Sequence, residues 1–166
     1  MHSLYRLTAI SFGVGVTLHN LEESAYLPGW FRSNLKLLFE PSQKIYWILT
    51  SLVSAVIWVP IVGVCISPED NRFQTVLSGF ALLMVINVVV PHLALTLVKR
   101  SYSPGTGTAI VFNLPLGVLL IRAQLNAATT SHAQIWREAF LYALLLAVGT
   151  LGCLYGAHAI VATREP

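Results

Sequence analysis

LYRLTAISFGVGVTLHNLEESAY, residues 4–26, is the stretch whose reading decides the fold. From Leu4 to Leu18 it is mostly apolar, and it then sets His19, Asn20, Glu22 and Glu23 in quick succession. An ionisable side chain inside a membrane span costs roughly 2.5–3.5 kcal/mol on insertion scales. Three of them within about one and a half turns therefore need a compensating partner or a function. Glu22 and Glu23 stand at i+3 and i+4 from His19, so one helix face can present all three. A histidine with two carboxylates on one face reads as a proton-handling site or as a set of metal ligands.

The rest of the chain agrees with a membrane setting. Of 166 residues, 55% are hydrophobic and 10% charged, and mean hydropathy is +0.70. A soluble domain carries about a quarter charged residues, so this chain cannot cover a water-facing surface. The expected fold is all-α: a polytopic membrane helix bundle forming a single domain over residues 1–166. Five apolar segments set its outline: Leu4–Tyr26, Ile45–Ile66, Phe73–Val98, Thr106–Ile121 and Ile135–Val161. A span needs about 20 residues, so the fourth segment reads as short, tilted or partly re-entrant. Arg6 followed by an apolar run resembles a signal peptide. Cleavage after that run would isolate the polar cluster, and the segment is read as the first span. Between Pro28 and Lys44, the apolar and basic residues Trp30–Phe39 predict a short helix lying in the headgroup region.

Charge and cysteine usage narrow the classes further. The formal charge is +3, yet no basic cluster exceeds the pair Lys99-Arg100, which argues against a nucleic-acid partner. Cys65 and Cys153 are isolated in apolar runs and read as packing residues. Trp30, Trp47 and Trp136 read as interfacial anchors. Arg32, Lys36, Lys44, Lys99, Arg100 and Arg164 fall on one side of the five-span scheme, and Arg6, Arg72, Arg122 and Arg137 on the other. By the positive-inside rule this places a protein of the inner (cytoplasmic) membrane with its N-terminus outside and its C-terminus in the cytoplasm.

Other polar groups stand at the same depth as the first cluster. The third segment carries Asn87 and, after three valines, Pro91-His92. Pro91 cannot donate to the Asn87 carbonyl four residues back, so an amide, an imidazole and a freed carbonyl lie together. Ser103-Pro104-Gly105-Thr106 opens the fourth segment with hydroxyls and backbone N–H groups, and Asn113 and Pro115 follow within it. The first and third spans run in the same direction and the fourth starts where the third ends. All these groups therefore lie towards one membrane face.

His19-x-x-Glu22-Glu23, then Asn87-x-x-x-x-His92, then the Ser-Pro-Gly-Thr turn resemble the HXXEE domain family of small bacterial membrane proteins. The resemblance covers nearly the whole chain, with no departure from the pattern. It marks His19, Glu22, Glu23, Asn87, His92, Pro104, Gly105 and Thr106 as characteristic positions. It implies no established activity, and metal binding is suggested for the family from its motif alone.

Taken together, the expected site has His19, Glu22, Glu23 and His92 as metal ligands, Glu22 and Glu23 as candidate acid–base groups, and Asn87, Thr106 and Asn113 in support. Imidazole and carboxylate suit one zinc or non-haem iron ion, acting on a lipophilic small molecule reached through the lipid bilayer. The alternatives are a metal-free acid–base isomerase of an isoprenoid or sterol-like substrate, and a proton-coupled carrier or sensor. Glu23 is expected in the direct role, since i+4 stacks most nearly over His19. Glu22 is then expected to orient a histidine.

Overall fold

The computed structural model describes residues 2–35, 42–127 and 131–162. Five long helices make the bundle: α1 His2–Asn34, α2 Gln43–Ile66, α3 Asn71–Lys99, α4 Thr106–Asn126 and α5 His132–Ala162. α2, α3, α4 and α5 are each long and apolar enough to cross a membrane. At 33 residues α1 matches them in length. Its composition differs, because Arg6, His19, Asn20, Glu22 and Glu23 interrupt its apolar run.

The outward surface is apolar, as a lipid-facing surface must be. Val59 on α2 is 65% exposed, Val98 on α3 77% and Leu151 on α5 64%, values that water would penalise and hydrocarbon does not. On α1, Leu4, Leu7, Ile10, Val14, Leu18 and Leu21 repeat at three- and four-residue steps along the exposed side. Its opposite side buries Phe12, Val16, His19 and Ser24.

The helices close into a ring. α1 packs on α2 and α4, and α3 packs on α2 and α4, while α5 buttresses α3 and α2 from outside. The core is built from Phe12 and Val16, Ile57, Ile61 and Val64, Leu77, Phe80 and Met84, and Leu120. Glycines permit the closest approaches, as in other membrane bundles. A Cβ on Gly79 would lie 2.4 Å from Tyr142 Cβ of α5, and one on Gly117 of α4 would lie 3.2 Å from the Ala81 carbonyl of α3. Two polar seams add hydrogen bonds between helices. Asn20 Nδ2 donates to Ser54 Oγ at 2.9 Å across α1 and α2. Gln124 joins Ser78 and Thr75 across α4 and α3.

Local chemistry explains the ends and the irregularities. Ser42 caps α2 by accepting from the Ile45 N–H, and Asp70 caps α3 by accepting from the Arg72 N–H. The Arg72 guanidinium, hydrogen-bonded to Asp70, holds that carboxyl below its usual range. Trp30–Asn34, expected in a separate interfacial helix, continue α1 past Pro28, and Lys36–Phe39 lie outside the described residues. Pro28 removes the donor that Ser24 O would receive in a regular helix; the Gln43 side-chain amide supplies one instead. The fourth segment is neither short nor re-entrant, because α4 runs on to Asn126 as one helix. α4 contains a π-helical stretch over Ala109–Asn113, whereas α3 is kinked at Val90-Pro91, within Val88–Leu93. Val90, which precedes Pro91, takes φ −130° and ψ 115°, the extended conformation that a following proline favours. Cys65 packs against the core as expected, whereas Cys153 faces outward on α5.

Candidate metal centre

Three elements bring the site together. α1 supplies His19, Glu22 and Glu23; the irregular stretch of α3 supplies His92; the turn before α4 supplies backbone. His19 and His92 are each 1% exposed, and the Glu23 side chain between them is 17% exposed. Glu23 Oε1 lies 3.0 Å from His92 Nε2 and 3.6 Å from His19 Nε2. The two imidazole rings stand edge to face, with centroids 4.9 Å apart and planes at 83°. One donor atom from each of His19, Glu23 and His92 lies within 4.8 Å of the other two.

Hydrogen bonds fix the protonation of His19. Its Nδ1 lies 3.1 Å from the Gly105 carbonyl oxygen. A carbonyl can only accept, so Nδ1 carries the proton and Nε2 presents a lone pair. That lone pair faces Glu23 and His92 and accepts from the Asn87 amide at 3.2 Å. Thr108 Oγ1 sits 3.2 Å from the same Nδ1 and donates to Glu22 Oε2 at 2.6 Å. The Tyr102 hydroxyl donates to Glu22 Oε1 at 2.6 Å and accepts from the Gly107 N–H at 2.9 Å. Partial burial, followed by the Glu22 carboxylate, holds the Tyr102 hydroxyl above the usual phenol range, so it remains a donor. Glu22 thus faces the α3–α4 connection, while its neighbour Glu23 faces the histidine pair.

His92 is different. Neither of its ring nitrogens makes a hydrogen bond among the described residues, although both are buried. Its Nε2 is close to Glu23 Oε1 without being aligned for a hydrogen bond. A buried polar atom without a partner costs about 1–3 kcal/mol. Two ligands of one tetrahedral ion, each about 2.0–2.1 Å from it, lie about 3.3 Å apart and point at the ion rather than at each other. The separations of 3.0 and 3.6 Å bracket that value. The donor set and its geometry fit a divalent metal ion.

The other expected residues have clear places. Asn87 touches the cluster through His19. Thr106 is buried, donates to the Ser103 carbonyl at 2.6 Å and lies 3.5 Å from the His92 carbonyl. Asn113 is fully buried about two turns further into α4, against Met84 Sδ at 3.8 Å, with no hydrogen bond to the cluster among the described residues. Thr108 and Tyr102 were not anticipated from the sequence. The one available signal was position: Tyr102 flanks the Ser-Pro-Gly-Thr turn and Thr108 follows it by two residues.

Comparison with known proteins places the motif. The family described as "Protein of unknown function with HXXEE motif" matches residues 10–120, from α1 through most of α4. The chain is 26% identical over 137 residues to "Uncharacterized protein YrkK" of Bacillus subtilis (strain 168), covering 82% of this chain and 84% of that one. No solved structure matches.

Proposed function

The chain belongs to the HXXEE-motif family, and from the geometry of that motif we propose a membrane-embedded metalloprotein that acts on a lipophilic molecule. His19 Nε2, Glu23 and His92 Nε2 hold one divalent ion, zinc or non-haem iron. The observation that carries this reading is the convergence of three donor atoms, two of them on fully buried imidazoles, inside a bundle of membrane-spanning helices. Three protein ligands is the number that catalytic zinc sites use, leaving a position for water or substrate. A bound ion supplies Lewis acidity there.

The chain's own residues then have separate tasks. Glu23 is the direct carboxylate, and Glu22 acts through Thr108, which shares the His19 Nδ1–H with the Gly105 carbonyl and donates its own hydroxyl hydrogen bond to the Glu22 carboxylate. Such outer partners keep a ligating imidazole in one tautomer and one orientation. The single His19 Nε2 lone pair, which accepts from the Asn87 amide in this structure, would pass to the ion on binding, and Thr106 ties the His92 backbone to the turn. We further place α1 across the membrane as a fifth span, supported by its apolar outward stripe and its length of about 50 Å. The termini then lie on opposite sides, the N-terminus outside.

Elemental analysis of the protein purified in detergent without added metal tests the centre. Stoichiometric zinc or iron, lost in His19→Ala and in His92→Ala, is expected. Metal-free protein that also binds none on titration would overturn it. The 3.0 Å approach of Glu23 to His92 favours a second reading, a metal-free acid–base pair, and that result would select it.

A further inference from the structure

Thr96 departs from the pattern of the threonines in the helix interiors. Thr8, Thr17, Thr50, Thr75 and Thr150 each donate a hydroxyl hydrogen bond to the carbonyl four residues back, the usual local partner of a threonine inside a helix. The carbonyl four residues before Thr96 is that of His92. Thr96 makes no such bond among the described residues, and its hydroxyl reaches forward to the turn between α3 and α4.

Three hydrogen bonds close a ring there, and their directions are determined. The Ser103 N–H can only donate, and Thr96 Oγ1 accepts it at 3.1 Å. The Ser103 carbonyl can only accept, and takes the Thr106 hydroxyl hydrogen at 2.6 Å. The Thr96 hydroxyl hydrogen is then left for Thr106 Oγ1, 3.0 Å away. The Thr96 carbonyl also accepts the Ser101 N–H at 3.3 Å, past the left-handed Arg100. Both polar groups of Thr96 therefore hold the connection. Thr96 follows His92 by one turn, so the connection is strapped to the face of α3 that carries the imidazole. Gly105 lies inside the strapped segment. Its carbonyl accepts the His19 Nδ1–H at 3.1 Å, and a Cβ on it would meet both imidazoles.

We propose that Thr96 is a positioning residue of the centre, acting through this turn. By anchoring Ser103 and Thr106 it sets the Gly105 carbonyl that keeps the His19 proton on Nδ1 and leaves Nε2 facing Glu23 and His92. Without the Thr96 hydroxyl, the N–H of the fully buried Ser103 loses its acceptor, and the turn moves to find another. The inference rests on the reading of His19 as a donor to the centre. The tautomer itself needs no ion, so the two can fail separately.

Nitrogen NMR of the full chain in lipid nanodiscs, with isotope-labelled histidine, tests this. The His19 signal is assigned by its loss in His19→Gln. Metal-stripped protein is read at alkaline pH, where imidazoles are neutral. In the wild type the His19 proton should sit on Nδ1 alone. Thr96→Val keeps the side-chain shape without the hydroxyl and should give a mixture of tautomers. Its zinc affinity, by chelator competition, should fall about tenfold or more. Thr96→Ser should restore both, and Thr96→Ala carries the same test if the valine variant loses helix content. An unchanged tautomer in a folded valine or alanine variant would overturn the proposal. So would failure of Thr96→Ser to restore it, since the methyl group rather than the hydroxyl would then be the anchor. Loss of helix content in both the valine and alanine variants would show a general role in the fold and overturn it too. Zinc is titrated into the same samples. A wild type that binds none, with a tautomer that responds to Thr96, would overturn the metal alone. Zinc bound with a tautomer indifferent to Thr96 would overturn the positioning role alone.

Discussion

Gly105 lies against all three proposed ligands at once. Its φ is +93°, and a methyl group there would sit 2.5 Å from His92 Cε1, 2.9 Å from His19 Cε1 and 3.1 Å from Glu23 Cγ. A side chain therefore meets both a left-handed backbone, at roughly 1–3 kcal/mol, and three atoms that cannot all withdraw. Gly105→Ala is expected to weaken zinc binding by more than about tenfold, the equivalent of 1.4 kcal/mol, with helix content unchanged by circular dichroism. Wild-type affinity would show that the turn does not press on the donors. The two glutamates should also separate. Glu23→Gln removes a ligand charge and should abolish stoichiometric zinc. Glu22→Gln should retain zinc with affinity lowered about 10–100-fold, the usual cost of an outer partner. Thr108→Val should match Glu22→Gln, and the pair should be less than additive, because both cut one chain of hydrogen bonds. Competition with a chromophoric chelator measures all three. Which glutamate faces inward was only weakly legible in the sequence. Neighbouring residues on a helix are about 100° apart, and i+3 and i+4 both flank His19. Thr108 and Tyr102 were not legible, since a threonine in a span and a tyrosine near an interface are common without any site.

Among the elements, the prolines were read more easily than what answers them. Pro91 marks the break in α3 that carries His92, and the sequence alone identifies both. Pro28 looked like the end of α1, because a proline usually stops or kinks a helix. The helix continues because Gln43, from the start of α2, reaches the Ser24 carbonyl. No local pattern names that partner. Its value can be measured. Gln43→Leu leaves a buried carbonyl without its donor and should cost about 1–3 kcal/mol, read as a lower melting temperature in detergent. An unchanged melting temperature would mean that Ser24 O finds another donor. The helical character and approximate limits of the segments were legible from hydropathy. The length of α4 was underestimated, because Arg122 and Gln124 look like an ending, whereas Gln124 turns inward to Ser78 and Thr75.

At the scale of the molecule, the centre joins helices that the ring keeps apart. Among the described residues α1 packs on α2 and α4, not alongside α3, yet the proposed ligands come from α1 and α3. A bound ion therefore clasps the ring across its diagonal. Stripping it with a chelator should lower the melting temperature, and an ion present at 100 times its Kd should restore about 2.7 kcal/mol. The clasp should also open in acid. Protonated imidazole and carboxylic acid do not bind the ion, so zinc affinity should fall in acid, and pH-independent binding would exclude the histidines. The clasp bears on how the protein is made. α1 emerges from the ribosome ahead of the other four helices and is the least apolar of the five, with its histidine and carboxylates still uncovered. Its permanent residence in the bilayer must wait for α3 and the turn that follows. A reporter fused after α1 alone should cross the membrane poorly, and one fused after α4 should show α1 inserted. A helix made ahead of the other four is thus secured only after the third.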